Sequence, residues 1–177
     1  MSNFSWVIFI LVISFFIFVG VRFRKTRLLS SFAYQSDEKI LFEDRPVKIE
    51  QMTNAGGRGK RTRGIMWPVI KITDKHIVIG QQKESSPDGI IYIALSFLGD
   101  SESMLENWWK RGYVTMPITK SEIQGRVQED GAYTVEIPLE VNLPMPNRQP
   151  VQQVIVITTR NFTGYEKALG MKIQIRN

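Results

Sequence analysis

Cysteine is absent from this chain of 177 residues, and histidine occurs once, as His76. The first absence excludes a disulfide framework and thiolate metal sites. General acid–base catalysis needs a partner group, and none is evident beside His76, which lies on a predicted strand. The segment NAGGRGKRT fails as a phosphate loop, because Asn54 and Arg61 stand where glycine and Ser/Thr are needed. We therefore predict a non-enzymatic protein without a metal or cofactor.

Charged side chains are missing from the first 21 residues, and Phe4 to Val21 reads FSWVIFILVISFFIFVGV. As a helix, this run would span roughly 27 Å, close to the hydrocarbon thickness of a bilayer. The residues that follow are basic and include no small-residue cleavage site: Arg22, Arg24, Lys25 and Arg27. Because positive charge marks the cytoplasmic side, the pattern predicts a single-pass membrane protein with its N-terminus outside and its remaining domain in the cytoplasm.

The net charge of +6 is concentrated in two short runs. The run from Arg22 to Arg27 carries +4, and the run from Arg58 to Arg63 carries another +4. The rest of the chain is mildly acidic. A nucleic-acid-binding protein more often spreads its basic residues over a face, so we predict no nucleic-acid partner.

Beyond a linker at residues 28–37, short alternating segments predict about eight strands. Ile65–Thr73 and His76–Gln81 flank Asp74-Lys75 as a hairpin, and Tyr133–Val141 and Val151–Thr159 are later strands. Gln51–Gly64 is polar and glycine-containing, which predicts a loop. Many short strands with close turns are typical of a sandwich or barrel.

Two helices are predicted among these strands. The first follows Ser101 and ends at Gly112, with Trp108 and Trp109 on one apolar face. Its tryptophans have two interpretations: they cover an open barrel edge, or they rest at a membrane interface. The second is a short helix with a capping box of Thr163 and Glu166, ended by Gly170.

Four segments resemble the bacterial pleckstrin-homology and GRAM-like domains. They are EKILFEDRPVKI near the start, KITDKHIVIG (Lys71–Gly80), TMPITKSEIQGRV (Thr115–Val127) and VIVITTRNFTGYEKAL (Val154–Leu169). The resemblance implies a small bent barrel plugged at one end by the C-terminal helix. The tryptophan helix departs from the family pattern as an insertion.

Together these observations predict a mainly β (α+β) chain. A transmembrane helix with its basic stop (1–27) and a linker (28–37) precede a pleckstrin-homology-like barrel domain (38–177). The barrel would have about seven to eight antiparallel strands, a C-terminal helix and one inserted amphipathic helix.

The basic loop is the candidate binding site. In the resembled family, a lysine late in the first strand and a basic-x-basic triplet hold a phosphorylated headgroup, and Lys48 with Arg61-Thr62-Arg63 matches that spacing. Clustered arginines beside glycines can bind phosphate oxygens. The candidate residues are Lys48, Arg58, Lys60, Arg61 and Arg63. The alternative is a solvated loop without a ligand.

The predicted function is a membrane-anchored binding module that contacts anionic lipid headgroups, a membrane-protein partner or a second copy of itself. The alternative is a structural subunit of a membrane complex that uses the barrel as a docking platform.

Overall fold

A computed structural model describes residues 12–18, 28–29, 32, 34–55, 58–83, 89–99, 113–141 and 151–176, with the backbone alone at 53–55 and 58–63. Within these ranges the chain is mainly β, with helix α1 at residues 12–18 and helix α2 at Phe162–Leu169. The strands are β1 (Ile40–Asp44), β2 (Lys48–Ala55), β3 (Arg58–Ile65), β4 (Pro68–Thr73), β5 (His76–Gln81), β6 (Ile90–Ser96), β7 (Val114–Pro117), β8 (Gln124–Val127), β9 (Tyr133–Val141), β10 (Val151–Thr159) and β11 (Gln174–Ile175).

The strands form two sheets that pack face to face. Sheet A has the order β1-β4-β5-β6-β7, and sheet B has the order β11-β8-β9-β10-β2-β3. In β9 every second side chain from Val135 to Val141 is buried, as expected for a strand with one face on the core. These side chains meet Ile70, Ile72 and Ile77 from sheet A in one inner core.

The outer face of sheet A is covered as well. The described residues between 28 and 38, which we call the strap, run over it, and Leu29 and Phe32 pack there with Val69 and Val78. Leu29 donates its backbone N–H to Gly89 at 2.8 Å, and a Cβ on Gly89 would lie only 2.1 Å from the Leu29 side chain. Any side chain at this position would therefore require the buried Leu29 side chain to move.

Helix α2 closes one end of the inner core. Tyr165 is buried, and its hydroxyl donates to Asp44 Oδ2 at 2.9 Å, which also accepts from Thr159 Oγ1 at 2.8 Å. Burial and the neighbouring Asp44 carboxylate raise the pKa of Tyr165 far above its ordinary value. The helix ends at Gly170 with φ of 68°. This polar cluster links β1, β10 and α2 across the two sheets.

The predicted capping box does not form. The N-cap is Asn161, two residues before the predicted Thr163, and no side chain caps the first turn. Glu166 instead accepts the backbone N–H of Ile173 at 3.2 Å and pairs with Lys172. The Glu166 carboxylate thus binds the segment after the C-terminus of α2 instead of capping its N-terminus.

The predicted closed barrel is wrong. Closure needs hydrogen bonds between the edge strands of the two sheets, and in the described part of the chain no strand belongs to both. Nor are all pairs antiparallel, since β6 pairs with β7 and β8 with β11 in parallel. The strands outnumber the predicted seven to eight in part because the predicted loop Gln51–Gly64 folds as the β2–β3 hairpin.

The predicted transmembrane helix over Phe4–Val21 is also wrong. No helix within the described residues is long and apolar enough to cross a membrane. The predicted single-pass localisation, with the N-terminus outside and a cytoplasmic domain, rested on that helix and is corrected with it.

Several predicted features lie outside the described residues. They are the rest of Phe4–Val21, the basic flank Arg22, Arg24, Lys25 and Arg27, and the inserted helix with Trp108 and Trp109.

Candidate binding cleft between the sheets

The inner core leaves a cleft of about 510 Å³ between the sheets. Apolar side chains from seven strands form its walls: Ile49, Ile65, Ile79, Ile93, Val114, Met116, Val141 and Ile155. Along β10, Gln153 and Ile155 line the cleft, whereas Thr159 contacts the Asp44 cluster beside α2. We call these two regions the cleft end and the helix end. The cleft volume is in the range of small-molecule binding sites, about 300–1,000 Å³.

Two hydrogen-bonded side-chain pairs border the cleft. Gln51 Nε2 donates to Gln153 Oε1, which joins β2 to β10. The Tyr92 hydroxyl donates to Gln81 Oε1 at 2.6 Å, which joins β6 to β5. All four residues line the cleft, so an apolar cavity has a border of neutral polar groups. That combination suits a ligand that is apolar at one end and polar at the other.

A β-bulge places Tyr92 at this border. Ile79 pairs with Ile93 and Gly80 pairs with Ile91, so Tyr92 is an extra residue on β6. A bulge turns one side chain out of the regular alternation and is common beside functional sites. Tyr92 is 40% exposed, whereas the preceding Ile91 is fully buried.

The passage from sheet B to sheet A exposes two large apolar residues beside the cleft. Met66, which lines the cleft, is 66% exposed, and Trp67 is 47% exposed. Trp67 has φ of 48°, the left-handed region that costs a bulky residue roughly 1–2 kcal/mol. Lys83 Nζ lies 5.5 Å from the centre of the Trp67 ring. A strained, exposed tryptophan is typical of a site where the residue contacts something other than its own core.

The five basic candidate residues do not form one group. Lys48 begins β2 opposite Thr158, toward the helix end, and its ammonium pairs with Glu50 at 3.0 Å. Arg58 and Lys60 are on β3 opposite Ala55 and Thr53, the last part of β2. At about 3.3 Å per residue, five positions along β2 separate Lys48 from the partner of Lys60 by roughly 16 Å. Lys48 therefore lies apart from Arg58 and Lys60, whereas Arg63, opposite Gln51, lies between these two groups along the hairpin.

Strand β3 continues directly into the cleft border. The backbone of Arg61 pairs with Met52 and that of Arg63 pairs with Gln51, which lines the cleft. Gly64 and Ile65, the next residues of the strand, also line it. Arg63 is thus the candidate basic residue whose backbone is adjacent to the cleft.

His76, the one histidine, is part of a different polar cluster. Glu38, whose side chain is 0% exposed, accepts from Thr73 Oγ1 at 2.5 Å and from the Gln35 N–H at 3.0 Å, and His76 Nδ1 lies 2.8 Å away. Burial opposes the charged form of the carboxyl, but these hydrogen bonds outweigh it and hold the pKa of Glu38 below its ordinary value. The cluster fastens the strap to sheet A.

Sequence reasoning missed the cleft residues Tyr92, Gln81 and Gln153. Tyr92 interrupts the apolar segment IIYIALS, which is a weak sign of a bulge. The exposed Met66-Trp67 pair falls inside a segment that was predicted as continuous strand. No signal in the sequence pairs Gln51 with Gln153, because they are far apart along the chain.

No protein-family model, curated protein or solved structure matches the chain.

Proposed function

We propose that the chain is a non-enzymatic binding module that takes the apolar part of a ligand into the cleft between its sheets. The observation that supports this most directly is an apolar cleft of about 510 Å³, in a core that α2 closes at the other end. Burying apolar surface supplies about 25 cal/mol per Å², so a cleft of this kind is a ready source of binding free energy.

The chemistry of the lining favours binding over catalysis. Glu50 and Tyr92 are the titratable side chains among the described lining residues. Glu50 forms an ion pair with Lys48, and the Tyr92 hydroxyl donates a hydrogen bond to Gln81. His76 is held by Glu38 on the strap side of sheet A, away from the cleft between the sheets.

The test is titration of the full-length chain with Nile red, an uncharged apolar dye. Val114→Phe fills the cleft, and we expect it to weaken dye binding at least tenfold. Val127→Phe is the matched control, because Val127 is 51% exposed on β8 and does not line the cleft. Equal binding by both variants would reject the cleft as the site.

A second pair of variants covers the case in which Val114→Phe does not fold. Gln153 lines the cleft, whereas its neighbour Gln152 is exposed and does not. Gln153→Trp should obstruct the cleft and weaken dye binding, and Gln152→Trp should leave it unchanged. Because both positions are at the surface of β10, neither variant removes core packing.

The docking-platform function is a second candidate, supported by one observation. Strand β3 is the last strand of sheet B in the described part of the chain, and four of its eight residues are basic. A strand edge of this kind can add an acidic partner strand by main-chain hydrogen bonds. Arg61→Glu reverses a charge on β3 and should weaken binding of an acidic partner peptide while Nile red binding persists.

A further inference from the structure

We propose that the ligand of the cleft is an anionic amphiphile: a single acyl chain that ends in a carboxylate or a phosphate. This inference rests on the proposed function, because it assigns the apolar part of the ligand to the cleft. It adds a chemical class and a direction of binding, with the chain inside and the anionic group at the border beside β3.

The walls of the cleft suit an acyl chain. They are aliphatic, apart from Met116, and come from both sheets, so a flexible chain would be enclosed on two sides. Each methylene buried contributes about 0.8 kcal/mol, which is about fourfold in affinity. Affinity should therefore rise by about that factor for each added methylene until the cleft is full.

The charge at the border suits an anion. Arg58, Lys60, Arg61 and Arg63 lie on β3, and the same strand supplies Gly64 and Ile65 to the cleft. The one carboxylate in the described lining, Glu50, is offset by its 3.0 Å pair with Lys48.

A further cation lies near the lining. Lys83 Nζ lies 5.5 Å from the centre of the ring of Trp67, the residue that follows the lining residue Met66. Basic residues therefore occur on β3, the strand that supplies Gly64 and Ile65 to the cleft, and beside the residue after Met66.

The neutral polar groups of the border complete the site. The side chains of Gln51, Gln81 and Gln153 each carry an amide N–H₂, and all three line the cleft. Amide N–H groups can donate hydrogen bonds to the oxygens of a carboxylate or phosphate without supplying a competing negative charge. The border is therefore able to bind the polar group of the ligand as well as to attract it.

The experiment compares lauric acid with lauryl alcohol, which has the same chain without a charge. Both displace Nile red from the full-length chain, below their aggregation concentrations and at low salt. We expect lauric acid to bind at least tenfold more tightly, and the difference to shrink as salt screens the charges. A lysophosphatidic acid with the same chain is the third arm, and its affinity relative to lauric acid distinguishes a phosphate group from a carboxylate.

Charge reversal locates the anionic group. Arg63→Glu should remove the preference for lauric acid over the alcohol. Arg160→Glu makes the same change in net charge at an exposed position after β10, next to α2, and should leave the preference unchanged.

The outcomes separate the two proposals. If Nile red does not bind, or binds Val114→Phe and Val127→Phe equally, the proposed function fails. If Nile red binds in the cleft and none of the amphiphiles displaces it, the acyl-chain ligand is overturned and the proposed function stands. If the alcohol and both anionic compounds bind equally, or if the two charge reversals act alike, the cleft binds apolar groups and the anionic ligand class is overturned. A preference for either anionic compound that Arg63→Glu abolishes supports the inference.

Discussion

The polar groups at the helix end are arranged differently from those at the cleft end. At the helix end the half-buried Asp44 accepts two hydroxyl hydrogen bonds, from the buried Thr159 and from the buried Tyr165. At the cleft end the polar groups are amides and an exposed tyrosine arranged around an apolar cavity. Hydrogen bonds therefore join the two sheets at the helix end, whereas a cleft lies between them at the cleft end.

This difference separates the helix end, whose hydrogen bonds stabilise the fold, from the cleft end, where we propose that a ligand binds. The hydrogen bonds of the buried Tyr165 and Thr159 hydroxyls to Asp44 join the two sheets and α2, whereas the walls of an apolar cleft forgo packing that larger side chains would provide. A chain selected for stability alone would fill the cleft with larger side chains. We infer that the cleft end is kept open for a ligand.

The largest expected effect comes from the helix end. Tyr165→Ala removes a buried ring and leaves Asp44 with one hydroxyl donor fewer, so the free energy of unfolding should fall by about 3–5 kcal/mol. Tyr92→Ala, the matched change at the cleft end, should cost less than about 1 kcal/mol because Tyr92 is 40% exposed. Urea unfolding of the two variants measures both values, and equal losses would remove the distinction between the ends.

A smaller effect is expected at the strap. Because the pKa of Glu38 is held below its ordinary value of 4.5, its stabilisation is present above that pH and is lost as the pH falls through the folded-state pKa. Glu38→Gln should lower the free energy of unfolding by about 1.5–3 kcal/mol at neutral pH, and the deficit should shrink in acid.

The control for this pH dependence is Glu43→Gln, since Glu43 is 44% exposed and pairs with Lys71. Its free energy of unfolding should follow that of the wild type within about 0.5 kcal/mol at every pH. A deficit for Glu38→Gln that stays constant from neutral pH to acid would contradict an ionised, hydrogen-bonded Glu38.

The smallest effect on stability is expected at Trp67. Trp67→Gly relieves the positive φ but loses the contact with Lys83, so stability should change by less than about 1 kcal/mol. Nile red binding should nevertheless weaken severalfold, because the exposed ring borders the cleft. A loss of more than about 2 kcal/mol in urea unfolding would instead identify Trp67 as a packing residue.

Local pattern was sufficient to predict the individual strands. The hairpin around Asp74-Lys75, the alternation of Tyr133–Val141 and the strand Val151–Thr159 are all confirmed. Each of these has apolar residues at the period of a strand and a recognisable turn beside it. The end of α2 at Gly170 was predicted for the same kind of reason.

The long-range arrangement could not be predicted in this way. Strand β3 contains two glycines and a lysine, which disfavour strands, and it forms because β2 offers it a pairing edge. Leu29 and Phe32 were placed in a linker, and their contact with Val69 and Val78 depends on the outer face of a sheet that forms later in the chain. The cleft depends on residues from seven strands, and no local pattern encodes its volume.

The strap also has a consequence for the fidelity of folding. Because it covers the outer face of sheet A, Val69 and Val78 are as buried as Ile70 and Ile77 on the inner face. When one face of a strand is exposed to solvent, a one-residue shift of the pairing register moves apolar side chains into water and costs free energy. A strand with two buried faces does not incur that cost. In β4 and β5 the pairing register must therefore be specified by something other than hydrophobicity. Thr73 Oγ1 accepts the backbone N–H groups of Lys75 and His76, at 3.1 and 2.7 Å, and so fixes the turn that aligns the two strands.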